Sequence, residues 1–267
     1  MEFGEQYTYP DLEDEITCVF IGIHEPYEGY WAESENHVLN LMKKHIEENV
    51  KSEKKLLLDA GCGEGRLIAD FSKYFDHILA IDPDRFRLSI AKETVQNIGV
   101  SDKVHFDDTP IQELEEQEKF DVILCSHVLQ HVHTDLIPKI IDKFKRILKE
   151  SGLLLILTCH STTGTDYFVK EFLNESNFTE EIVNENDHNS LVSGINQLPI
   201  HLFSRKSIKE TLEKSDFEII DYKVFHILEK DLGASNLSER DLLINQSPDL
   251  QDKYGRDVFV AARAKGQ

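Results

Sequence analysis

The stretch Leu58–Gly65 reads LDAGCGEG and continues an apolar run that starts at Lys55. Such a run, followed by a glycine-rich turn and then by helical periodicity over Arg66–Tyr74, predicts a buried strand, a loop and a helix. A tight turn needs one glycine, whereas this one contains three. Glycines let the backbone approach a ligand closely, and the start of the next helix offers unpaired N–H donors. The stretch therefore predicts a ligand-binding turn.

The spacing of this turn distinguishes between two classes of ligand. The dinucleotide fingerprint is G-x-G-x-x-G, but this chain has G-x-G-x-G, and Asp59 precedes it. A carboxylate inside the turn would repel a pyrophosphate and attract an ammonium or sulfonium group. The turn therefore favours S-adenosylmethionine over a nicotinamide dinucleotide as the cofactor.

Short apolar runs alternate with helical patterns along most of the chain. Further strands are predicted at His77–Asp82, Lys103–Phe106, Phe120–Ser126, Leu153–Cys159, Phe217–Ile227 and Asp257–Ala264, and helices at Trp31–Val50, Asp84–Ile98, Leu136–Leu148 and Ser207–Lys214. Strands that are apolar on both faces and alternate with helices indicate a parallel sheet that is covered on both sides. We predict an α/β, Rossmann-like, doubly wound fold with a seven-stranded, mostly parallel sheet and helices on both faces. Ligands bind such sheets at the carboxyl ends of the strands.

A second acidic residue lies at the end of the next predicted strand. Asp82 ends this strand, and a carboxylate there can accept hydrogen bonds from both hydroxyls of a ribose. The alternative is that Asp82 caps the next helix. We favour the ribose role because the glycine-rich turn already predicts a nucleoside cofactor.

Together these motifs resemble the class I S-adenosylmethionine-dependent methyltransferases. The matching segments are LDAGCGEG (58–65), AID (80–82), TPIQEL (109–114), FDVILCSHVLQHV (120–132) and LLLILT (153–158). The resemblance covers Lys54–Cys159 well and the later strands more loosely. As a set, the motifs are specific for the superfamily but not for a substrate.

The resemblance implies where the cofactor would lie. The methionine moiety would be lined by Asp59, Gly61, Cys62 and Gly63, and closed after the fourth strand by Cys125, Ser126 and His127. Asp82 would hold the ribose, with Pro83 and Asp84 flanking the adenine. The adenine edge would meet Thr109, Pro110 and Ile111. Many relatives have an acid in that last loop, so Asp107 or Asp108 is an alternative partner for the adenine amino group.

The histidines of the HVLQHVH segment allow two interpretations. His127 and His131 are four residues apart, as in a metal-binding helix, but the glutamate of H-E-x-x-H is missing between them. We therefore expect no metal here and interpret His127 as a residue that lines the site or acts as a general base. His160 and His201 bracket a later insertion. Both are candidate acceptor contacts or bases, but an ordinary surface or core position is the favoured interpretation of each.

The N-terminal aromatic residues are a further candidate group. Tyr30 and Trp31 stand just before and at the start of the first predicted helix. Aromatic faces attract a cation without acting as nucleophiles, so both side chains could cover the sulfonium. Plain hydrophobic packing is the competing interpretation. We predict that residues 1–50 form an arm and a helix that cover the cofactor site.

The remaining segments define the expected domain layout. Residues 51–267 are predicted to form the methyltransferase domain. Residues 160–203 are rich in Asn, Ser, Thr and Glu and are expected to form a cap of short helices over the acceptor, inserted after the fifth strand. Residues 228–256 are a second, polar insertion.

Composition restricts the class of partner. The 29 basic and 50 acidic residues give a net charge of −21, which disfavours binding to nucleic acid or to an anionic membrane. The N-terminus lacks the pattern of a secretory signal, and the four cysteines form no C-x-x-C pair, so we expect reduced thiols in the cytoplasm.

The sequence predicts the class of the methyl acceptor only in part. A small molecule is the first hypothesis, a protein side chain the second and RNA the third. A cofactor-binding regulator without catalysis is an alternative of another class, and an NAD-dependent dehydrogenase ranks last. The sequence gives no indication of the oligomeric state.

Overall fold

The computed structural model describes residues 29–115, 119–174, 177–192, 198–227 and 237–265. Within these ranges seven strands form the main sheet, in the order β3-β2-β1-β4-β5-β10-β9. Their bounds are β1 Leu56–Ala60, β2 His77–Ile81, β3 Val104–Asp107, β4 Phe120–Ser126, β5 Leu148–Cys159, β9 Phe217–Phe225 and β10 Asp257–Ala264. Neighbouring strands from β3 to β5 are parallel, and β10 runs antiparallel to β5 and β9. The predicted seven-stranded, mostly parallel sheet is confirmed.

Helices cover both faces of this sheet. The helices are α1 Gly29–Asn49, α2 Arg66–Phe71, α3 Arg85–Asn97, α4 Ile137–Ile147, α5 Glu185–Leu191, α6 Arg205–Lys214, α7 Leu237–Ile244 and α8 Pro248–Gln251. Apolar residues of α4 and α6 pack on one face, and those of α1, α2 and α3 pack on the other. Because alternate residues of each central strand point to opposite clusters, these strands are apolar throughout, as a sheet covered on both faces requires.

The start of β5 differs from the prediction. The strand was predicted at Leu153–Cys159, after a helix that ends at Leu148, but β5 begins at Leu148 and runs through Ser151 and Gly152. Its pairing with β4 shifts register near this point. A Cβ at Gly152 would lie 2.7 Å from the Leu148 side chain. The glycine therefore permits close packing within an irregular strand and does not end the helix.

The insertion at 160–203 is also different from the prediction. It was expected to hold short helices, but its described residues form an antiparallel sheet of three strands, β6 Tyr167–Asn174, β7 Asn177–Val183 and β8 Leu198–Leu202, in the order β7-β6-β8. Helix α5 is its one described helix. Glu171 interrupts the apolar pattern of β6 yet is buried, because it forms an ion pair with Arg256. Because charged residues are usually exposed, a buried and paired charge makes the sequence of a strand look like that of a polar segment.

The insertion begins and ends beside the carboxyl edge of the main sheet. His160 and Phe203, its first and last residues, form a parallel bridge. In the second insertion, the described part contains α7 and α8. No helix among the described residues is both long and apolar enough to cross a membrane.

Candidate active site

A cavity of about 280 Å³ opens at the carboxyl ends of β1, β2 and β4. Eleven residues predicted from the sequence line it: Asp59, Gly61, Cys62, Gly63, Asp82, Pro83, Asp84, Thr109, Ile111, Ser126 and His127. The strand ends bring these residues together although they are up to 68 positions apart in the chain (127 − 59). This is the position at which doubly wound sheets bind ligands.

Other predicted site residues lie differently, among them Cys125, which is buried and does not line the cavity. Pro110 precedes a short turn of 3-10 helix and does not line the cavity. His201 also does not line it. Its Nε2 lies 2.8 Å from Asp166 Oδ2, and its ring stacks on Phe203 with centroids 3.8 Å apart. Tyr30 and Trp31 are in the first turn of α1, but their side chains lie outside the described part of the structure.

The glycine-rich turn has the backbone shape that only glycine adopts readily. Gly61 and Gly63 have φ values of 81° and 52°, in the left-handed region. A Cβ on Gly61 would lie 2.1 Å from Cγ2 of Val128, which also borders the cavity. The turn therefore brings backbone against the cavity wall where a side chain has no room.

Two buried carboxylates face this cavity. Asp82 accepts hydrogen bonds from the backbone N–H groups of Gly63 and Asp84, both at 2.9 Å. Burial raises the pKa of Asp82 above its usual range. Asp59 is only 2% exposed, and its Oδ2 has no hydrogen-bond partner among the described residues. Burial, followed by the negative charge of Asp82, raises the pKa of Asp59 to about 7. An unpartnered buried carboxylate is suited to a ligand that carries a positive charge.

The helix-cap alternative for Asp82 is not observed. Asp84 is the residue that caps α3, and its Oδ1 accepts from the backbone N–H groups of Phe86 and Arg87. Asp82 instead accepts a hydrogen bond from the Gly63 backbone N–H. Its side chain therefore connects the turn after β1 to the end of β2.

Basic residues of the site were not identified from the sequence. Arg66 and Arg87 both line the cavity, one at the start of α2 and one in the first turn of α3. Arg66 Nη2 lies 2.8 Å from Oε1 of Glu35, a buried residue of α1. This ion pair joins α1 to the rim of the cavity. Nothing in the local pattern separates these arginines from surface residues, because each stands in the polar part of an amphipathic helix.

The two acids proposed for the adenine edge are already engaged. Asp107 Oδ1 accepts hydrogen bonds from the backbone N–H of Thr109 at 2.8 Å and from its hydroxyl at 2.6 Å. Asp108 forms an ion pair with Arg85. Thr109 and Ile111 border the cavity, so they are the residues of this loop that a ligand can meet.

His127 and His131, which follow β4, have different hydrogen-bond partners. His127 borders the cavity, and its Nδ1 lies 3.3 Å from the amide nitrogen of Gln130. His131 Nδ1 lies 2.7 Å from the carbonyl oxygen of Pro199 in β8. Burial lowers the pKa of His131 to about 3, so the ring is neutral and donates this bond. The pair therefore does not converge on one metal ion, and His131 instead connects the cavity wall to the insertion sheet.

Residues 34–222 match the model of a methyltransferase-domain family, and the chain belongs to that family. Ubiquinone biosynthesis O-methyltransferases of Rhodopseudomonas palustris (strain BisB5) and Haemophilus ducreyi are 26% and 30% identical over 119 and 130 residues, 43% of this chain in each case. These segments are 46% and 53% of the two relatives, so the chain aligns with about half the length of the curated relatives it matches.

Solved structures share the fold at low sequence identity. An S-adenosylmethionine-dependent methyltransferase from Clostridium acetobutylicum has a TM-score of 0.60 at 16% identity, covering 94% of this chain and 97% of that one. The 1,6-didemethyltoxoflavin-N1-methyltransferase of Burkholderia thailandensis, solved with 1,6-didemethyltoxoflavin and S-adenosylhomocysteine, has a TM-score of 0.58 at 16% identity, covering 94% and 85%. These likenesses confirm the predicted architecture.

The affinity for the cofactor is expected to fall at low pH because Asp59 becomes protonated. A cation binds the ionised carboxylate, whereas in the empty site this group takes up a proton below a pH of about 7. Binding must then displace the proton, so affinity should fall by up to about tenfold for each pH unit below 7 and level off above it. Calorimetry with S-adenosylhomocysteine from about pH 5.5 to 8.5 measures this. A flat profile in the unmodified protein would contradict the assignment.

Proposed function

We propose that this protein transfers a methyl group from S-adenosylmethionine to a small-molecule acceptor by in-line displacement. The observation that carries the proposal is the cavity at the strand ends, in which the partnerless carboxylate of Asp59 lies beside a glycine-rich turn. The cofactor, when bound, supplies a methyl group that is activated by a sulfonium. The protein has to hold and align the reactants in a site from which water is excluded.

The residues of the cavity fit this cofactor. Asp59 would face the positively charged methionine end, where an acid stabilises a cation. Asp82, held by two backbone N–H groups, would use its remaining lone pairs for the ribose hydroxyls. Gly61 and Gly63 leave room for close approach of the backbone. Pro83, Asp84, Thr109 and Ile111 would surround the adenine.

The insertion sheet supports a small acceptor. It stands directly beside the site, because His131 of the cavity wall bonds to Pro199 of β8 and His188 Nε2 lies 3.4 Å from the carbonyl oxygen of Val132. A sheet fixed in this way would limit the space beside the methyl group. The curated relatives are named as O-methyltransferases of ubiquinone biosynthesis, and that name supports a small-molecule acceptor here. The cytoplasmic location stays a prediction.

The domain layout is part of this proposal. Residues 1–50 would form the arm and helix over the cofactor, and the Glu35–Arg66 ion pair supports that position for α1. The insertion at 160–203 would cap the acceptor. The second insertion, 228–256, would belong to the same methyltransferase domain.

Turnover assays test the proposed function. The purified protein is incubated with radiolabelled S-adenosylmethionine and three sets of acceptors: phenols and amines of low molecular weight, a protein extract, and total RNA. We expect label in the small-molecule fraction. Label confined to protein or RNA would contradict the acceptor class, and tight cofactor binding without any transfer would indicate a regulator.

A further inference from the structure

Arg87 lies in the first turn of α3 and lines the cofactor cavity. Its backbone N–H donates to Asp84 Oδ1 at 3.1 Å, so the cap of the helix fixes the point from which the side chain extends. The side chain is 21% exposed, and its Nε lies 3.5 Å from Oε1 of Glu64 in the glycine-rich turn. The arginine therefore extends from α3 to the turn after β1.

The guanidinium of Arg87 covers Gly63. A Cβ added to Gly63 would lie 2.9 Å from Arg87 Nη2 and 3.2 Å from its Cζ, so the missing side chain makes room for the arginine. The backbone N–H of the same glycine donates to Asp82 Oδ2 at 2.9 Å. Gly63 therefore contacts both the guanidinium and the buried carboxylate, and opposite charges lie around one residue of the turn.

The hydrogen bonds of Asp82 leave room for two further donors. An ionised carboxylate has about four lone-pair sites. Among the described residues, the backbone N–H of Gly63 uses one site on Oδ2 and that of Asp84 uses one on Oδ1, so one site remains on each oxygen. In the proposed cofactor site, these two accept from the two ribose hydroxyls. Protonation would turn one of them into a donor, and one ribose hydroxyl would lose its acceptor.

Burial opposes the ionised form of Asp82. The residue is 8% exposed, and burial raises its pKa above the usual range. Of the influences that lower this pKa, the positive charge of Arg87 is the largest, ahead of the hydrogen bonds from the backbone N–H groups of Asp84 and Gly63. The ionised form therefore depends most on this arginine.

The other titratable groups around Asp82 can only add negative charge. They come from the end of β1, the turn, the loop of Asp82 itself and the end of β3, and they are Asp59, Cys62, Glu64, Asp84 and Asp107. The charge of Asp82 is one of the causes that raise the pKa of Asp59. The Asp107 carboxylate is engaged with Thr109. Among the described residues, Arg87 is the positive charge that acts most strongly on Asp82.

We propose that Arg87 is a positioning residue of the cofactor site, which covers Gly63 and keeps the Asp82 carboxylate ionised so that it accepts from both ribose hydroxyls. This inference rests on the proposed function, because it takes the cofactor to lie in this cavity. Arg87 acts through Asp82 and needs no contact with the cofactor. Two competing explanations are a direct contact with the ligand and an ion pair that serves only to hold Glu64.

The test is a pH profile of S-adenosylhomocysteine binding, measured by calorimetry from about pH 5 to 8.5. It is made in the Asp59→Asn variant, so that titration of Asp59 does not contribute. In that background, affinity should fall at low pH as Asp82 takes up a proton. Adding Arg87→Gln removes the positive charge and should move the start of this fall upward by about one pH unit or more. Adding Arg87→Lys instead keeps the charge and should largely restore the profile.

Carbon-13 NMR of the aspartate carboxyl groups gives a second measurement that needs no ligand. The signal of Asp82 is assigned by its loss in Asp82→Asn. It should titrate at a higher pH in Arg87→Gln than in the unmodified protein, because the carboxylate then lacks its main positive neighbour.

Two control variants separate the charge of Arg87 from its other contacts. Arg85→Gln removes a positive charge from the same turn of α3, but Arg85 pairs with Asp108 and its side chain is 86% exposed, so the profile should stay unchanged. Glu64→Gln breaks the contact with Arg87 and removes a negative charge, so the fall should begin at the same pH or lower. If Arg87 served only to hold Glu64, Glu64→Gln and Arg87→Gln would have the same effect.

The proposal is overturned if affinity in Arg87→Gln begins to fall at the same pH as in its parent and the Asp82 signal does not shift. A loss of affinity that is equal at every pH would also overturn it, since a direct contact or a purely structural role does not depend on the ionisation of Asp82. Neither measurement uses a methyl acceptor, so these outcomes leave the proposed methyl transfer to the turnover assays. Absence of S-adenosylhomocysteine binding by the unmodified protein at every pH would instead contradict the proposed cofactor site.

Discussion

Asp59→Asn is expected to weaken binding of S-adenosylmethionine by about 30-fold or more, corresponding to a loss of about 2 kcal/mol. The substitution keeps the shape of the side chain and removes its charge. Asp59 is buried, and its Oδ2 has no partner within the described residues, so in the proposed site the cofactor supplies the positive charge that this carboxylate meets. Calorimetry with S-adenosylmethionine at about pH 8 measures the change.

The same variant should not destabilise the cofactor-free protein. Burial raises the pKa of Asp59 from 3.8 to about 7, so the folded state binds this proton more tightly than the unfolded chain does. Stability contributed by the protonated group is therefore lost as pH rises between these values, and at pH 8 the fold retains a buried charge. We expect an unchanged or higher Tm for Asp59→Asn at that pH.

Asp121→Asn is the matched control. Asp121 is equally buried, but its Oδ2 accepts from the Leu56 backbone N–H and from Lys149 Nζ, both at 2.8 Å. Its replacement should lower Tm and leave cofactor affinity unchanged. If Asp59→Asn lowered Tm and kept full affinity, Asp59 would be a structural residue and the site assignment would be wrong.

Gly61→Ala is expected to lower both Tm and cofactor affinity. The added Cβ would lie 2.1 Å from Val128 Cγ2, on a backbone whose φ is 81°. Backbone strain and overpacking together cost about 2–5 kcal/mol, or about 5–15 °C in Tm for a chain of this size. Because relief of the contact requires the turn to move, the residues of the turn that line the cavity should move with it. Thermal unfolding and calorimetry measure the two effects.

Two further variants separate strain from steric contact. Gly99 has a φ of 73°, and a Cβ added there would meet no described atom within 4 Å, so Gly99→Ala carries the backbone cost alone. It should lower Tm by less and leave affinity unchanged. Adding Val128→Ala to Gly61→Ala makes room for the methyl group and should restore part of both properties. Equal losses for Gly61→Ala and Gly99→Ala would show that close approach at the turn is unimportant.

The sheet and the cofactor cavity were predictable because their signals are local. The glycine-rich turn, the acids at the ends of β1 and β2 and the apolar runs each occupy a few consecutive residues. A parallel sheet then brings all strand ends to one edge, so the side chains of Asp59, Asp82 and His127 had to meet. Arg66 and Arg87 were missed because an amphipathic helix does not distinguish an arginine that faces a ligand from one in solvent.

The insertion sheet and the buried His226–Asp257 pair depend on partners that are distant in the sequence. Glu171 makes β6 appear polar until Arg256, 85 residues later, is known to neutralise it. His226 and Asp257 are 31 residues apart and meet because β10 runs antiparallel to β9. No local sequence pattern predicts the contact between His226 and Asp257. The sequence indicates which residue types are available, whereas the strand order determines which of them form a pair.

Calorimetric titration of the unmodified protein with S-adenosylhomocysteine and, separately, with NAD⁺ distinguishes the proposed cofactor site from a dinucleotide site. The glycine-rich turn with its buried Asp59 and Asp82 should bind S-adenosylhomocysteine and not the dinucleotide, whose pyrophosphate the two carboxylates repel. Asp82→Ala removes the proposed ribose contact and the hydrogen bond from the Gly63 backbone N–H, so it should weaken the binding of S-adenosylhomocysteine strongly. Binding of NAD⁺ in preference to S-adenosylhomocysteine, or unchanged affinity in both Asp59→Asn and Asp82→Ala, would contradict the assignment of this cavity to S-adenosylmethionine.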